Sequence, residues 1–145
     1  MEKRYYIPHK KDTPEVSFDI ETGEFTVMGI SHPENISIFF NPVEQWLSKI
    51  KDEIAHKQMK APKKIHLTFF FIYVNSASYK YMINLIGIMH GFTAYGTSID
   101  ITWCYEKGDS DMLSAGEELM EYMNLDMKFN TEERERPEEW EETIM

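Results

Sequence analysis

Ile65-His-Leu-Thr-Phe-Phe-Phe-Ile-Tyr-Val74 runs directly into Asn75-Ser76-Ala77-Ser78 and then Tyr79-Lys-Tyr-Met-Ile-Asn-Leu-Ile-Gly-Ile-Met-His-Gly-Phe92, and this stretch decides the fold. Its first ten residues are dense in β-branched and aromatic types, which predicts a long strand. From Tyr79 onward the apolar spacing turns helical, which predicts a helix over 77–92. Ser76 sits at the junction. A helix start carries N–H groups without intrahelical acceptors and favours negative charge, so a phosphate on Ser76 would be tolerated locally. A hydroxyl residue there also serves as an ordinary cap. The residues alone leave both readings open.

Upstream, Glu15–Ile20 and Glu24–Ile30 alternate apolar and polar residues around Glu21-Thr22-Gly23, the pattern of a β-hairpin. His32-Pro33-Glu34-Asn35 ends the second strand. A helix in two pieces, 35–40 and 42–57, is expected next, because Asn41-Pro42 offers a cap and a proline at a first helical position. Val43, Trp46, Leu47, Ile50 and Ile54 form one apolar stripe on the second piece. Downstream, Gly91 to Gly96 breaks the chain. Thr97–Tyr105 reads as a strand with Ile99, Ile101 and Trp103 on one face. Asp109-Ser110-Asp111 opens a helix to Asn124, and Met127–Phe129 fits one short last strand. The order ββαβαβα predicts an α/β fold, a single mixed sheet of four to five strands with helices packed on it.

Around the helix after Ser76 the polar or small positions Lys80, Asn84, Gly87 and Gly91 form one narrow stripe, and nearly everything else is apolar. Either a neighbouring helix covers the excess, or an apolar patch beside Ser76 receives a partner.

The 145 residues suit one domain with a proper core, at 42% hydrophobic and 14% aromatic content. A loosely held arm is expected over 1–12 and a disordered acidic tail over 131–145, with the α/β domain at 13–130 between them. The formal charge of -10 argues against nucleic-acid binding by general phosphate neutralisation. The tail's seven Glu and two Arg supply half of that charge. Within the tail, Trp140 is either a docking handle or part of a solubilising end. Cys104, the single cysteine, excludes an intrachain disulfide, and its apolar run predicts a buried thiol. The first residues lack the apolar stretch of a signal peptide, and 81–92 is too short to span a bilayer. No membrane insertion and a cytoplasmic location are expected.

Catalytic signatures are missing. Ser76 lacks a glycine-flanked nucleophile elbow, and there is neither a P-loop nor a dinucleotide fingerprint. His9, His32, His56, His66 and His90 have no paired ligand spacing, so neither metal nor cofactor is expected. His66 alternates with apolar strand residues, and His90 suits packing or capping. No catalytic residue is assigned. An enzyme using Ser76 as nucleophile remains an alternative, since catalytic groups converge in space.

Three stretches together resemble the SiaC-family regulatory phosphoproteins. The first is Thr13-Pro14-Glu15-Val16-Ser17-Phe18-Asp19 with Gly23. The second is His32-Pro33-Glu34-Asn35 leading into Phe39-Phe40, Pro42 and Trp46. The third is Tyr73-Val-Asn-Ser76-Ala-Ser78, followed by Trp103-Cys-Tyr105 and Asp111-Met-Leu-Ser-Ala-Gly-Glu-Glu118. The likeness covers residues 13–130. It implies a fold similar to STAS-type anti-anti-sigma factors and a mechanism of partner switching. A cognate protein kinase phosphorylates a hydroxyl residue, and a PP2C-type phosphatase removes the phosphate. The unmodified form binds and controls a target, a diguanylate cyclase in the best-known system, which implies cyclic-di-GMP signalling.

The family's acceptor is the threonine of Asn-Thr-Ser-Ser, and it falls on Ser76 of Asn75-Ser76-Ala77-Ser78. Serine keeps the hydroxyl, Ala77 removes one family hydroxyl, and Ser78 is an alternative acceptor. Asn75, Ser76, Ser78, Lys80, Asn84 and Gly87 are the expected partner-binding residues. The competing reading is a constitutive interaction module without phosphorylation.

Overall fold

The computed structural model describes residues 2–123 and 126–143. Met1 of the expected arm, Asn124 at the expected helix end, Leu125, and Ile144 and Met145 of the expected tail lie outside the described residues. The elements run β1 (Arg4–Ile7), β2 (Glu15–Asp19), β3 (Glu24–Ser31), α1 (Ile36–Ala55), β4 (Lys64–Val74), α2 (Ser76–His90), a 3-10 helix Gly91–Tyr95, β5 (Ser98–Tyr105), α3 (Ser110–Met123), β6 (Lys128–Glu133) and α4 (Trp140–Thr143).

All six strands form one mixed sheet in sequence order. β1, β2 and β3 pair antiparallel, while β3, β4, β5 and β6 pair parallel. Because each parallel crossover is right-handed and steps the same way across the sheet, α1, α2 and α3 all fall on one face. Residues of alternate parity on the strands meet them: Phe25 and Val27, then Ile65, Leu67, Phe69 and Phe71, then Ile99, Ile101 and Trp103, all buried. Among the described residues, the opposite face carries no long helix.

The hairpin turn is set by Asp19, whose Oδ1 accepts from the Glu21 N–H at 2.9 Å. Gly23 follows at φ +77°, and a side chain there would run into the Lys64 carbonyl, so only glycine lets the turn close against β4.

Two expectations are corrected here. The sheet has six strands, not four to five. The sixth comes from the supposed arm: β1 pairs with β2, Tyr5 packs 5.9 Å from Trp46 between ring centres, and the Trp46 indole donates to the Glu2 carbonyl at 3.1 Å. Four alternating residues are too short a pattern to stand out from a polar terminus. At the other end, β6 reaches Glu133, and Trp140 of the supposedly disordered tail is buried against the sheet.

The second correction concerns α1, one helix rather than two. Asn35 caps it through Oδ1, accepting from Ile38 N–H at 3.1 Å, and Pro42 lies inside it. Proline there removes a single N–H near the start of the helix, whereas Phe40, Val43, Trp46, Leu47, Ile50 and Ile54 bury one continuous stripe across it. Packing outweighs the local break.

Candidate functional site

β4 ends at Val74 and α2 begins at Ser76, with Asn75 between them as N-cap in extended conformation. Asn75 Oδ1 accepts from the Ser78 N–H at 2.8 Å, and its carbonyl takes the first helical bond from Tyr79 N–H at 2.9 Å. The Asn75 N–H in turn donates to the Ser31 carbonyl at 3.0 Å, fixing the cap to the end of β3. Asn75, rather than Ser76, is therefore the cap. Ser76 occupies the first helical position, exposed, and its N–H belongs to the helix's unsatisfied first turn.

Ser78 differs sharply from Ser76. It is 0% exposed, and its Oγ accepts from Ser31 Oγ at 2.7 Å. Of the expected partner-binding residues, Ser76, Lys80, Asn84 and Gly87 share one exposed stripe of α2 and Asn75 is half-buried beneath it. Ser78 faces the core and is not part of that surface.

The flanks of α2 are mostly covered by neighbouring helices. On the α1 side Tyr81 stacks on Phe40 at 5.3 Å and donates to Asn41 Oδ1 at 3.2 Å. On the α3 side the Tyr79 hydroxyl donates to the Ala115 carbonyl at 2.8 Å. Burial, and secondly the Glu118 carboxylate, push the Tyr79 phenol above its ordinary range. What remains open is a groove between α2 and α3 of about 800 Å³, lined by Val74, Ser76, Tyr79, Lys80, Ile83, Asn84, Ala115, Glu118 and Tyr122. A second groove of about 730 Å³ reaches Glu44, Lys51, Gly87 and Ile88 and shares Ile83, Asn84 and Tyr122 with the first. Along its wall, burial raises the Glu44 carboxyl above the usual carboxylate range, and one of its oxygens has no hydrogen-bond partner among the described residues.

Ser76 thus stands at one end of a mixed apolar and polar groove. Lys80, one turn on, is its same-face neighbour. Sequence reasoning missed Tyr122, 73% exposed on the opposite wall, together with Glu118 and the buried Ser31. The parity of β3, with Phe25, Val27 and Gly29 on the helix face, does place Ser31 inward. Nothing local in the sequence brings α3 alongside α2. At the ends of β3 and β4, His32 meets Tyr73 edge-on at 5.7 Å and lies 3.4 Å from Asp12. His66 bridges strands on the face opposite α1, α2 and α3 through Thr102 Oγ1 at 3.0 Å, in keeping with its reading as a sheet histidine.

Among the described residues no group of three or more His, Cys, Asp or Glu is placed to hold a metal ion. No helix among them is long and apolar enough to cross a membrane.

Comparison with known proteins fits this geometry. The model of the SiaC family regulatory phosphoproteins matches residues 7–133. An uncharacterized protein of Pseudomonas aeruginosa (strain UCBPP-PA14) is 24% identical over 116 residues, covering 80% of this chain and 86% of that protein. Among solved structures, the complex of the diguanylate cyclase SiaD with its activator SiaC from Pseudomonas aeruginosa gives a TM-score of 0.74 at 22% identity, covering 90% of this chain and 99% of the other. Apo-SiaC from the same organism gives 0.72 at 22% identity with the same coverage. At that identity these structures establish the shared fold.

Proposed function

The chain belongs to the SiaC family of regulatory phosphoproteins, and from that premise we propose that it is a non-enzymatic, cytoplasmic partner-switching regulator controlled by phosphorylation of Ser76. The unmodified form binds its target through the α2–α3 groove. A cognate kinase phosphorylates Ser76 and releases the target, and a PP2C-type phosphatase restores binding. The solved complex of SiaD with its activator SiaC supports a diguanylate cyclase as the target class.

One observation carries the choice of residue. Ser76 presents its hydroxyl to solvent at the mouth of the groove, while Ser78, two residues on, is fully buried and hydrogen-bonded to Ser31. A kinase reaches the first without disturbing the helix and reaches the second only by unravelling its start.

The energetics suit a switch. Phosphorylation adds about -1.5 to -2 charges and three strong acceptor oxygens. In the free protein the first-turn N–H groups and Lys80 favour that charge. Beneath a partner, beside Val74, Tyr79, Ile83 and Ala115, the same charge loses water without full compensation. Desolvating an incompletely paired ion costs several kcal/mol. A loss of roughly 3–4 kcal/mol weakens a complex some hundreds-fold.

The test begins with intact-mass and peptide mass spectrometry of protein from its native cells, which should locate phosphate on Ser76. Ser76→Ala should then hold its target in the presence of kinase and ATP, and Ser76→Asp should bind weakly. Equal target affinity for the two variants, or no phosphate under any growth condition, would favour a constitutive binding module instead.

A further inference from the structure

With α1, α2 and α3 on one side of the sheet, the other side must be closed differently. Its polar half is laced by His66, Thr102 and Asn130. Its apolar half consists of Phe70 and Cys104, flanked by Met28, Ile30 and Ile72. Onto this half the end of the chain lays Trp140, 1% exposed, its ring 5.2 Å from that of Phe70. Three further contacts guide the segment there. The Arg134 N–H donates to the Tyr105 carbonyl at 2.9 Å, and its guanidinium lies 5.9 Å from the Phe70 ring. Arg136 grips Glu106 through two hydrogen bonds of 2.7 Å.

α4 is four residues long, far below the length of a self-supporting helix. Glu138, Glu139, Glu141 and Glu142 flank the tryptophan in sequence, so no neighbouring apolar side chain of the segment adds to its anchor. The segment also lies beyond the family match, which ends at residue 133. A short stretch outside the sheet and the three-helix layer, seated by one aromatic side chain, two arginines and one backbone hydrogen bond, belongs to the low-stability end of a structure.

We propose that residues 134–143 are an intramolecular strap, seated by Trp140 and clasped by Arg136 on Glu106, whose local release uncovers a second apolar face on this chain. The strap itself is the occupant of that face. Phe70 and Ile72 belong to β4, the strand that leads into Ser76, but they project from the side opposite α2. The strap is therefore a second point of control, separate from the groove and from the phosphorylation reading.

Cys104 reports the strap directly, because it lies beneath it and is the single thiol. The experiment measures alkylation of Cys104 in the full chain by iodoacetamide at pH 8, across a low-urea series, beside far-UV circular dichroism. Strap opening predicts a wild-type labelling rate that barely changes with urea well below the unfolding midpoint, since local opening exposes little surface. Trp140→Ala should speed labelling at least about tenfold with its circular dichroism unchanged. Arg136→Gln should give a smaller rise, and Trp140→Phe should restore most of the protection. Wild-type labelling that follows global unfolding with its full urea dependence would overturn the proposal, making the segment an ordinary part of the core. So would equal labelling of wild type and Trp140→Ala.

Discussion

Ser31 Oγ donates a 2.7 Å hydrogen bond to Ser78 Oγ across 47 residues of sequence, and both side chains are fully buried. This bond ties the last residue of β3 to the first turn of α2, directly beneath the exposed Ser76. Removing one partner leaves the other hydroxyl buried without its match, at about 1–3 kcal/mol. Ser31→Ala and Ser78→Ala should each lower the urea-unfolding free energy by that order. The double variant should cost less than the sum, because both single changes break the same bond. Additive losses would show that the pair is not coupled.

Asn75 holds the same junction from outside. Its Oδ1 accepts from the Ser78 N–H in the first turn of α2. Asn75→Ala should cost about 1 kcal/mol, while Asn75→Asp or Asn75→Ser, which cap comparably, should cost much less. Thermal unfolding of the three proteins decides it.

The junction also shows what a sequence can and cannot convey. β4, α2 and the hairpin were legible because each is a long run with one periodicity. Pro42 misled, since a local rule placed a helix start where the stripe from Phe40 to Ile54 keeps the helix whole. β1 was hidden by its length, and Trp140 by its company: four glutamates make a buried tryptophan look like a soluble tail. The position of Ser76 at the strand–helix junction was legible from the change in periodicity there. The burial of Ser78 and the opposite wall at Glu118 and Tyr122 were not, because both depend on which distant elements α2 packs against.

Cys104 gives the chain an alkaline weakness. Burial, above all, pushes its thiol from the ordinary 9.0 up to about 11, with Glu132 adding to the rise and Arg134 opposing it. Between those values the folded protein keeps a proton that the unfolded chain releases. Stability is therefore untouched below pH 9 and falls as pH rises through 9 to 11, by about 2 kcal/mol at the upper end. Tyr5 and Tyr79, both raised by burial, act in the same direction. Denaturation of wild type and Cys104→Ala from pH 7 to 11 should give two curves that converge as pH increases. Parallel curves would contradict the assignment.

The groove can be tested without touching the fold. Tyr122 is 73% exposed on its wall, so Tyr122→Ala should change stability by no more than about 0.5 kcal/mol. If the groove seats the target, the same change should weaken target binding at least about tenfold, as loss of an interface aromatic commonly does. Tyr95→Ala is the control, since Tyr95 is 43% exposed in the 3-10 helix and outside both grooves. Calorimetric titration of the unmodified protein with a diguanylate cyclase from the same cell supplies the readout, and equal losses from both variants would remove the groove from the interface.

Two helical glycines should respond to one substitution with opposite signs. Gly116 of α3 lies against Trp103, where an added Cβ would stand 2.7 Å from Cγ and 2.9 Å from Nε1 of the indole. That ring cannot retreat: its Nε1–H donates to the Met112 carbonyl at 2.9 Å, and Phe69, Phe71 and Tyr79 surround it. Gly116→Ala should therefore cost about 1–3 kcal/mol as overpacking. Gly87 of α2 has nothing within 4 Å of the same position and lies within a helix, without a left-handed backbone. Gly87→Ala should stabilise by about 0.4–1 kcal/mol, because the unfolded chain loses freedom that the helix never used. Gly87 also borders the groove that reaches Glu44 and Lys51, so its methyl group would project where a partner is expected to lie. A Gly87→Ala protein that is more stable yet binds its target less tightly would place the docking surface across the middle of α2. One that gains stability with unchanged affinity would confine docking to the Ser76 end.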